Sequence, residues 1–511
     1  MYSKKPVSDP PSFRFSFLTN RFSFLTVPCS FFFFLISLFS FIILSACLSY
    51  KEPAMTRNLT YKNPSTINGI GDPFVLRAQD GAYYCYPTGG GGNGFRAWKS
   101  TDFVEWKPLG IVYDSLQPGF WASSKFWAPE VVYWQGKYYM YYTGNSFADQ
   151  SLRIGLAISE KPEGPFIEAL KRPLFDFGYS CIDANVLIDD DGQKYLYYSR
   201  DCSENIVNGI HESWIYGVRL ADNMQELEGD PVLLTKPEQE WEKRSGNEYR
   251  WNEGAHVIKH DGKYYLIYSG NFYGGKFYSL GYAVSGSPLG PFVKYSENPI
   301  LEVMPEWTHI SGPGHNSVFK SPDGTELWVA YHTHMDVIKG GGNRQMAIDK
   351  MGFRPDGTIY INGPSLSPMP LPSGTGPQKN LALTAKVTVS SGSEKADALT
   401  DGEIGFNRRF GRYNWIAGAQ DKSPTITLEW EKPVDVYSVM VYRGSPYEGN
   451  PFEVSVSVNK HSAEKITFPE IPGAAAVLDG EKGRVTSVTI KLSGGGEYRL
   501  SEIVILGTAE E

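Results

Sequence analysis

Cysteine is scarce in this chain: there are five in 511 residues, and Cys29 and Cys47 fall in the first 47 positions. The remaining Cys85, Cys181 and Cys202 are odd in number and lack the spacing of a metal site, which argues against zinc. A Cys181–Cys202 bridge is one alternative in an oxidising compartment, and buried free thiols are the favoured one. The sequence therefore does not predict a zinc scaffold.

Positive charge is also in short supply, with 48 Lys and Arg against 56 Asp and Glu and a formal net charge of −8. Because phosphate binding needs a basic face, nucleic acid is not expected as a partner. The Gly-rich run 89–92 lacks the lysine and hydroxyl residue of a phosphate-binding loop, and no G-x-S-x-G elbow is present. Phosphoryl transfer and Ser–His–Asp hydrolysis are therefore disfavoured. Long helical patterns are lacking between the strands, which disfavours a TIM barrel.

The N-terminal segment predicts export. Four basic side chains precede an apolar run over residues 31–46: Lys4, Lys5, Arg14 and Arg21. The run is short for a membrane-spanning helix and typical of a signal sequence. It ends in Leu44-Ser45-Ala46-Cys47, which resembles a bacterial lipobox with Cys47 as the lipidation site.

These features predict a lipoprotein signal peptide over residues 1–47 and a tether over residues 48–61. The protein is then expected in the cell envelope as an outer-membrane lipoprotein, facing the periplasm or the exterior. It would touch the membrane only through its lipid anchor. An uncleaved membrane anchor is the alternative.

Aromatic and turn residues are abundant, with 32 Tyr, 29 Phe, 12 Trp and 53 Gly, a composition that favours β-structure. A turn that ends in Gly and leads into an aromatic strand recurs five times, as in GAYYCYPTG and GKYYMYYTG. The turn glycines are Gly81, Gly136, Gly192, Gly262 and Gly324. Repeats of this length predict an all-β fold with a five-bladed β-propeller over residues 62–372, in which alternate rings pack between blades.

One position recurs nine residues before each turn glycine. It is occupied by Asp72, Trp127, Asp183, Glu253 and His315. Since the first strand of each blade lines the central channel of a propeller, these side chains are expected to converge on one place. Carboxylates at strand starts are often turn caps, which is the alternative for each of them alone. Burying three like charges together is costly, however, and this favours a shared functional site.

Three carboxylates beside an aromatic ring fit the hydrolysis of glycosides. One carboxylic acid protonates the leaving oxygen, and a second carboxylate activates water or attacks the sugar. A third negative charge nearby raises the pKa of the acid, so that it keeps its proton near neutral pH. Trp127 would supply an apolar platform for a sugar face.

The motifs at these positions resemble those of glycoside hydrolase family 43 over about residues 62–372. They are Asp72-Pro73, Trp127-Ala128-Pro129, Asp183 followed by Asp189-Asp190-Asp191-Gly192, Glu253-Gly254 and Gly314-His315-Asn316-Ser317. The resemblance implies a five-bladed propeller that hydrolyses with inversion. It implies Asp72 as general base, Glu253 as general acid and Asp183 as the residue that tunes and orients the acid.

The same resemblance implies two further binding residues. Arg344 matches the family's arginine that contacts the sugar in the −1 subsite, with an exposed loop arginine as the alternative. His315 would line the channel floor and contact substrate there, where several members place a metal, often calcium. A lone imidazole is a weak ligand for a hard cation, so a hydrogen-bonded structural histidine is the alternative.

The C-terminal third follows a different pattern. Residues 363–378 carry five Pro and predict a strap that ends the last blade, with a linker over residues 373–379. Six short alternating segments follow, from KVTVSS to SEIVIL, and predict a β-sandwich over residues 380–511. Asn380-Leu381-Ala382, the run 398–402 and Ser501-Glu502-Ile503 resemble the discoidin (factor 5/8 type C) domain, a galactose-binding-like jelly roll.

The discoidin resemblance implies that this domain often binds carbohydrate, although it would also serve only to buttress the propeller. Asp401 and Glu502 are expected to help hold a structural calcium. Trp415 is assigned to the core. The loop candidates for sugar contact, each with an inert residue as the equal alternative, are Arg412, Tyr413 and Tyr447.

The leading functional prediction is an inverting exo-glycosidase, with Asp72 and Glu253 about 6.5–9.5 Å apart to leave room for a water. The family resemblance implies terminal α-L-arabinofuranosyl or β-D-xylosyl residues of plant cell-wall polysaccharides as substrates. The long stretch 201–249 is expected to wall off a pocket, which favours exo action.

Three other functions stay open. A β-galactosidase and an endo-arabinanase are alternatives within the same family, and a catalytically inert glycan-binding surface lipoprotein is the competitor from another class. No cofactor is expected to be required for the chemistry, a structural calcium is expected apart from it, and the chain is expected to act as a monomer.

Overall fold

Five four-stranded antiparallel sheets follow one another along the chain, and a parallel pairing joins the third and fourth into one nine-stranded sheet. The computed structural model describes residues 58–89, 94–117, 120–304, 308–404, 408–444, 452–471 and 473–509. The chain from Leu59 onward forms one compact unit. Cys47 lies outside the described residues, so its lipidation and the envelope location stay predictions. Within the described part, the helices are all too short or too polar to span a membrane.

The five sheets are the blades of a propeller and correspond to the five predicted repeats. Blade 1 contains Gly71–Arg77, Tyr83–Thr88, Gly94–Ser100 and Lys107–Asp114, and blade 2 contains Ala122–Trp134, Lys137–Ser146, Leu152–Ser159 and Ile167–Glu168. Blade 3 contains Cys181–Ile188, Lys194–Arg200, Ile210–Leu220 and Leu227–Thr235, with Ile206–Val207 added beside its third strand. Blade 4 contains Tyr249–His260, Lys263–Gly270, Ser279–Ser285 and Val293–Lys294. Blade 5 contains Gly314–Lys320, Leu327–His334, Arg344–Phe353 and Ile359–Ile361.

Alternate tyrosines of the repeat pack into the two neighbouring blade interfaces, as predicted. In the second strand of blade 2, Tyr138 and Tyr142 belong to the core shared with blade 1, whereas Tyr139 and Tyr141 belong to the core shared with blade 3. The period of two along a strand produces this division, because successive side chains leave on opposite faces. The three described cysteines are buried free thiols, which confirms the favoured alternative.

The chain closes the ring of blades before it enters blade 1. Thr60–Tyr61 pairs antiparallel with Met369–Pro370, which follows the last blade. Further along, the N–H of Ile70 donates to the carbonyl of Arg344 at 3.0 Å. The first and last blades are thus joined by main-chain hydrogen bonds.

The innermost strand of every blade contains a β-bulge. The strand register slips by one residue at this place in all five blades. The bulge residues all have positive φ: Asp72 at 49°, Ala128 at 41°, Asp183 at 58°, Gly254 at 59° and His315 at 52°. Because a bulge bends a strand and re-aims its side chain, the predicted site lies where the strands depart from regular pairing.

Blades 3 and 4 are joined by an unusual parallel contact. The start of the third strand of blade 3, residues 211–213, pairs in parallel with residues 249–251 at the start of blade 4. The two outer strands of blade 3, Ile210–Leu220 and Leu227–Thr235, lie within the stretch 201–249. That this stretch walls off a pocket stays a prediction. The remaining part, residues 236–248, contains the 3₁₀ helix Glu240–Lys243.

After the last blade the chain forms an eight-stranded sheet in which every pairing is antiparallel. Its strands are Lys379–Asn380, Lys386–Val389, Trp415–Ile416, Thr425–Arg443, Glu453–Val458, Glu464–Ile466, Ala475–Ser493 and Arg499–Thr508, with 3₁₀ helices at Leu381–Thr384, Ser393–Leu399 and Arg408–Tyr413. Each of the six predicted segments overlaps a strand, and TITLEW and VDVYSVMVYR merge into one. Trp415 is fully buried in the core, as predicted. The sandwich arrangement and the discoidin assignment stay predictions.

The C-terminal sheet packs firmly on blade 5. Arg354 Nε donates to Glu403 Oε2 at 2.8 Å, and both side chains are buried. The sugar-contact candidates Arg412 and Tyr413 face the propeller: Arg412 pairs with Glu297, and the Tyr413 ring centroid lies 4.2 Å from Arg354 Cζ. These contacts favour a buttressing role for the two residues. Tyr447 lies outside the described residues.

Candidate active site

Asp72 lies among basic side chains at the bulge of blade 1. Arg344 Nη1 is 2.6 Å from its Oδ1, and His315 Nδ1 is 3.4 Å from the same oxygen. Burial alone would raise the pKa of Asp72, but the charges of Arg344 and then His315 outweigh burial and hold the pKa well below its ordinary value. Asp72 is therefore ionised across the neutral range.

The approach of Arg344 to Asp72 depends on the glycine that precedes Asp72. A Cβ built at Gly71 would overlap the guanidinium of Arg344. Arg344 begins the third strand of blade 5, where it is 7% exposed, so the structure excludes the exposed loop arginine. Its contact with a sugar stays a prediction.

Glu253 has the opposite electrostatic environment. Burial and then the negative charge of Asp183 raise its pKa well above the ordinary value, and a hydrogen bond of 2.9 Å from the hydroxyl of Tyr278 to Oε1 only partly opposes them. Glu253 therefore keeps its proton in the neutral range. The two carboxyl groups of the site are held in opposite protonation states by their surroundings.

Asp183 is the third buried carboxyl group of the site. Burial raises its pKa to about 6, opposed by His315. Its Oδ2 accepts a hydrogen bond of 3.1 Å from the N–H of Gly254, the residue directly after Glu253. Asp183 thus fixes the peptide that carries Glu253 and also raises the pKa of Glu253 through its charge.

A set of hydrogen bonds connects each blade to the next around the channel. In four places a side chain of the second strand accepts the N–H of the bulge residue in the following blade. The pairs are Thr88 with Ala128 at 2.6 Å, Thr143 with Asp183 at 3.1 Å, Ser269 with His315 at 2.9 Å and His332 with Asp72 at 3.2 Å. In the fifth place Ser199 Oγ has no partner among the described residues, and the Gly254 N–H donates to Asp183 instead.

These links correct one part of the sequence prediction. Asp72, Asp183 and His315 occupy the bulge itself, but the equivalent positions in blades 2 and 4 are Ala128 and Gly254. Trp127 and Glu253 stand one residue earlier. The turns of blades 2 and 4 contain two residues and are shorter than those of the other blades. The position nine residues before the turn glycine therefore falls one residue ahead of the bulge in these two blades.

The small size of Gly254 matters at this point. A Cβ there would lie 3.0 Å from His315 Nδ1, and its φ of 59° is strained for other residues. Glu253 reaches the site from the neighbouring position because Gly254 leaves the bulge position free for His315.

Trp127 is half-buried in the innermost strand of blade 2. Lys125 Nζ lies 5.9 Å from the centroid of its ring. The adjacent residue Ala128 is linked to blade 1 through Thr88. The structure thus places Trp127 near the junction of blades 1 and 2, and its role as a sugar platform stays a prediction.

Three residues of the site were not predicted: His332, Tyr278 and Tyr273. His332 is fully buried, and burial followed by the charge of Arg344 lowers its pKa to about 3. It is therefore neutral, and its Nδ1 accepts the N–H of Asp72. The repeat contained a signal for it, because the equivalent position is Thr or Ser in the other four blades.

A second layer of polar groups lies deeper in the channel. Glu130 Oε2 accepts from Asn185 Nδ2 at 2.7 Å, and His256 Nε2 accepts from the N–H of Val318 at 3.2 Å. Burial raises the pKa of Glu130 well above its ordinary value and lowers that of His256 to about 4. This layer is therefore uncharged, unlike the layer of Asp72 and Arg344.

His315 does not by itself form a metal site. Among the described residues no group of three or more His, Cys, Asp or Glu side chains is arranged around one point. Calcium takes six to eight oxygen ligands, and one imidazole does not fit that preference. The metal implied by the resemblance stays a prediction for His315, and no catalytic step is derived through it.

A five-bladed propeller with an ionised and a protonated carboxyl group at one channel mouth is typical of a glycoside hydrolase. Residues 61–359 match the family model described as glycosyl hydrolases family 43. The match covers more than half of the chain, and the chain belongs to this family. The protein is therefore a glycoside hydrolase, an enzyme that hydrolyses O-glycosyl bonds.

Several known proteins are similar to this chain. A solved structure of a thermostable family-43 glycoside hydrolase is 48% identical, with a TM-score of 0.59, over 62% of this chain and 100% of that chain. The beta-D-galactofuranosidase xynD of Aspergillus niger is 28% identical over 60% of this chain and 85% of its own length. The xylosidase/arabinosidase 43A of Humicola insolens is 30% identical over 48% of this chain and 77% of its own length.

Proposed function

We propose that the protein is an inverting exo-glycosidase that removes terminal α-L-arabinofuranosyl or β-D-xylosyl residues from plant cell-wall polysaccharides. The observation that carries this proposal is the pair of opposite protonation states, with Asp72 ionised beside Arg344 and Glu253 protonated beside Asp183. The relative from Humicola insolens and another from Bacteroides ovatus, 29% identical, are both named xylosidase/arabinosidase, which supports the choice of sugars.

The proposed reaction uses the two carboxyl groups on opposite faces of the sugar. Asp72 takes a proton from a water as that water attacks the anomeric carbon. Glu253 donates its proton to the leaving oxygen as the glycosidic bond breaks. Inversion requires about 6.5–9.5 Å between the two carboxylates, and this separation stays a prediction.

A substrate panel on the wild-type protein tests the proposal. The panel contains the p-nitrophenyl α-L-arabinofuranoside, β-D-xyloside, β-D-galactofuranoside and β-D-galactopyranoside, together with debranched arabinan. We expect release from the first two and single sugars as the only product of polymers. NMR of the first product should show the anomeric configuration opposite to that of the substrate. A retained configuration, or no release from any member of the panel, would overturn the proposal.

The activity should be lost at high pH through the titration of Glu253. The acid must be protonated, so kcat/KM falls as pH rises through its raised pKa, while Asp72 stays ionised down to low pH. Replacing Asp183 with Asn removes the charge that raises the pKa of Glu253, and we expect the descending limb of the profile to move to lower pH. A pH profile of kcat/KM for both proteins checks this. A limb that stays in place or moves to higher pH would contradict the assignment.

We also propose that Asp401 and Glu502 bind a structural calcium in the C-terminal sheet. Burial and then the negative charge of Asp401 raise the pKa of Glu502 well above its ordinary value, and Glu502 Oε1 has no partner among the described residues. A divalent cation would stabilise the ionised form of Glu502 and give its Oε1 a partner. Calcium added to EDTA-treated protein at pH 7.5 should raise the Tm. The expected gain in the free energy of unfolding is about 2.7 kcal/mol when the calcium concentration is a hundred times Kd. Glu502→Gln should abolish that rise, and an equal rise in both proteins would contradict the site.

A further inference from the structure

Two stacked rings, those of Tyr278 and His332, join the acid and the base of the proposed active site. Their centroids lie 5.4 Å apart and their planes differ by 7°, an offset stack. Both side chains are buried. On one side the hydroxyl of Tyr278 donates to Glu253 Oε1 at 2.9 Å. On the other side His332 Nδ1 accepts the N–H of Asp72 at 3.2 Å. The rings therefore complete a continuous path of contacts from acid to base.

A glycine makes room for the ring of Tyr278. Gly314 begins the innermost strand of blade 5 and lies opposite His332 in the neighbouring strand. A Cβ built at Gly314 would overlap the ring of Tyr278. The ring thus packs directly on the main chain of blade 5, beside the ring of His332. Its position is determined by this packing before any ligand binds.

The hydroxyl of Tyr278 determines which oxygen of Glu253 carries the proton. Burial and then the charge of Glu253 raise the pKa of Tyr278 well above its ordinary value, so the phenol keeps its own proton and is the donor. In a neutral carboxyl group the carbonyl oxygen accepts hydrogen bonds and the hydroxyl oxygen donates one. Oε1, which accepts from Tyr278, is therefore the carbonyl oxygen, and Oε2 carries the proton that is transferred.

The same hydrogen bond becomes stronger during the proposed reaction. As the proton moves from Oε2 to the leaving oxygen, negative charge develops on the carboxylate of Glu253. A hydrogen bond to an ionised acceptor is about twice as strong as one between neutral groups. Tyr278 therefore stabilises the transition state more than the bound substrate, which is the condition for a gain in rate.

We propose that Tyr278 and His332 form a rigid spacer that sets the orientation of the Glu253 carboxyl group relative to Asp72. Both are positioning residues, because they act through the acid and the base. Inversion requires the two carboxyl groups at a fixed separation that admits one water. A misplacement of about 1 Å is enough to cost roughly a hundredfold in rate, so a spacer of this kind has a large effect. This inference rests on the proposed function.

Tyr278→Phe keeps the stacked ring and removes only the hydroxyl. Without its hydrogen bond the ionised form of Glu253 is less stable, so the pKa of Glu253 rises. The descending limb of the pH profile of kcat/KM should then move to higher pH, opposite to the shift expected for Asp183→Asn. On the oligosaccharide that the wild type hydrolyses best, kcat should fall about tenfold with KM nearly unchanged. On the 2,4-dinitrophenyl glycoside of the same sugar, whose leaving group needs no proton, the rate should stay near wild type.

Tyr278→Leu removes the ring as well and tests the spacer itself. His332 then loses its stacking partner, and the N–H of Asp72 loses a fixed acceptor. We expect a further loss of about tenfold or more, now on the 2,4-dinitrophenyl glycoside too, because the base is misplaced. Equal rates for the Leu and Phe variants on both substrates would overturn the spacer. A limb that stays in place or moves to lower pH in Tyr278→Phe would overturn it as well.

Tyr268 supplies the matched control. It is fully buried in the core between blades 3 and 4, and its hydroxyl donates to the buried carboxyl group of Glu242 at 2.7 Å. Tyr268→Phe and Tyr268→Leu should lower the Tm about as much as the corresponding Tyr278 variants. Below those transitions the pH profile and both rates should stay near wild type. Equal losses of rate in the two Leu variants would mean that instability explains the result, and the inference would fall.

Infrared difference spectra separate this inference from the proposed function. Subtracting the spectrum of Glu253→Gln from that of the wild type isolates the C=O stretch of protonated Glu253. The same subtraction in a Tyr278→Phe background should show this band at higher frequency, because the carbonyl oxygen has lost a hydrogen bond. If the wild type hydrolyses no glycoside, the proposed function fails and the band still tests the contact. A band at the same frequency in both backgrounds would overturn the role of Tyr278.

Discussion

Replacing Glu253 with Gln should reduce kcat/KM by about 10³-fold on substrates whose leaving group needs a proton. Glu253 is buried beside Asp183 and holds its proton because burial and that charge raise its pKa. Glutamine keeps the shape and the hydrogen bond from Tyr278 but cannot donate a transferable proton. Aryl glycosides with acidic leaving groups leave without protonation and should lose far less. Steady-state rates on xylobiose and on the 2,4-dinitrophenyl glycoside give the comparison.

The deeper layer of the channel supplies the control for this experiment. Glu130 is also a buried carboxyl group with a strongly raised pKa, and it accepts a hydrogen bond from Asn185. Because Glu130 is already neutral, Glu130→Gln should change neither its charge nor this hydrogen bond, and activity should stay near wild type. Equal losses on both substrates for Glu253→Gln would show that Glu253 is not the proton donor.

Replacing Asp72 with Asn should reduce kcat by about 10³- to 10⁴-fold on every substrate, whatever its leaving group. The loss removes the base that activates water, and this step is common to all substrates. Asp72 is ionised because the nearby charges of Arg344 and His315 outweigh its burial. The loss of activity in the Asp72 variant should therefore be the same on both substrates, whereas the loss in the Glu253 variant should depend on the leaving group. This difference distinguishes the base from the acid.

The Asp72 substitution should also destabilise the fold. Arg344 would lose its partner while still buried, and removal of one member of a buried ion pair costs about 3 kcal/mol or more. Glu403→Gln breaks a second buried pair, with Arg354, outside the site. We expect that control to lower the Tm to a similar extent with activity near wild type below the transition. A comparable loss of activity in both variants would mean that unfolding, not chemistry, explains the result for Asp72.

The sequence predicted the blades because the signal is local. Each copy of the repeat places a turn glycine before a strand of alternating tyrosines, and the hairpin that results is determined within about twenty residues. Tyr138 and Tyr139 pack into different interfaces for the simple reason that strand side chains alternate. The five innermost strands could therefore be placed without knowledge of the rest of the chain.

The site was predicted only in part, because its details depend on contacts between blades. Counting from the turn glycine located Asp72, Asp183 and His315 at the bulges. It displaced Trp127 and Glu253 by one position, because the turn glycine does not reveal how many residues its turn contains. His332 belongs to the second strand of blade 5, and Tyr278 directly precedes the third strand of blade 4, so both reach the site from outside the innermost strands. Arg344 was predicted from its motif, yet its pairing with Asp72 requires the ring to be closed.

The hydrogen bond from the Asp72 N–H to His332 ties the proposed base to the final blade, 260 residues later in the chain. Arg344, its charged partner, belongs to that blade as well. A nascent chain that has completed four blades contains Asp72, Asp183 and Glu253. It lacks the blade 5 residues His332 and Arg344, which position Asp72 and keep it ionised. We therefore expect the proposed base to reach its working geometry only when the ring is closed, so that proteolytic opening of that seam should abolish activity. Turnover measured during refolding would serve as a clock for ring closure.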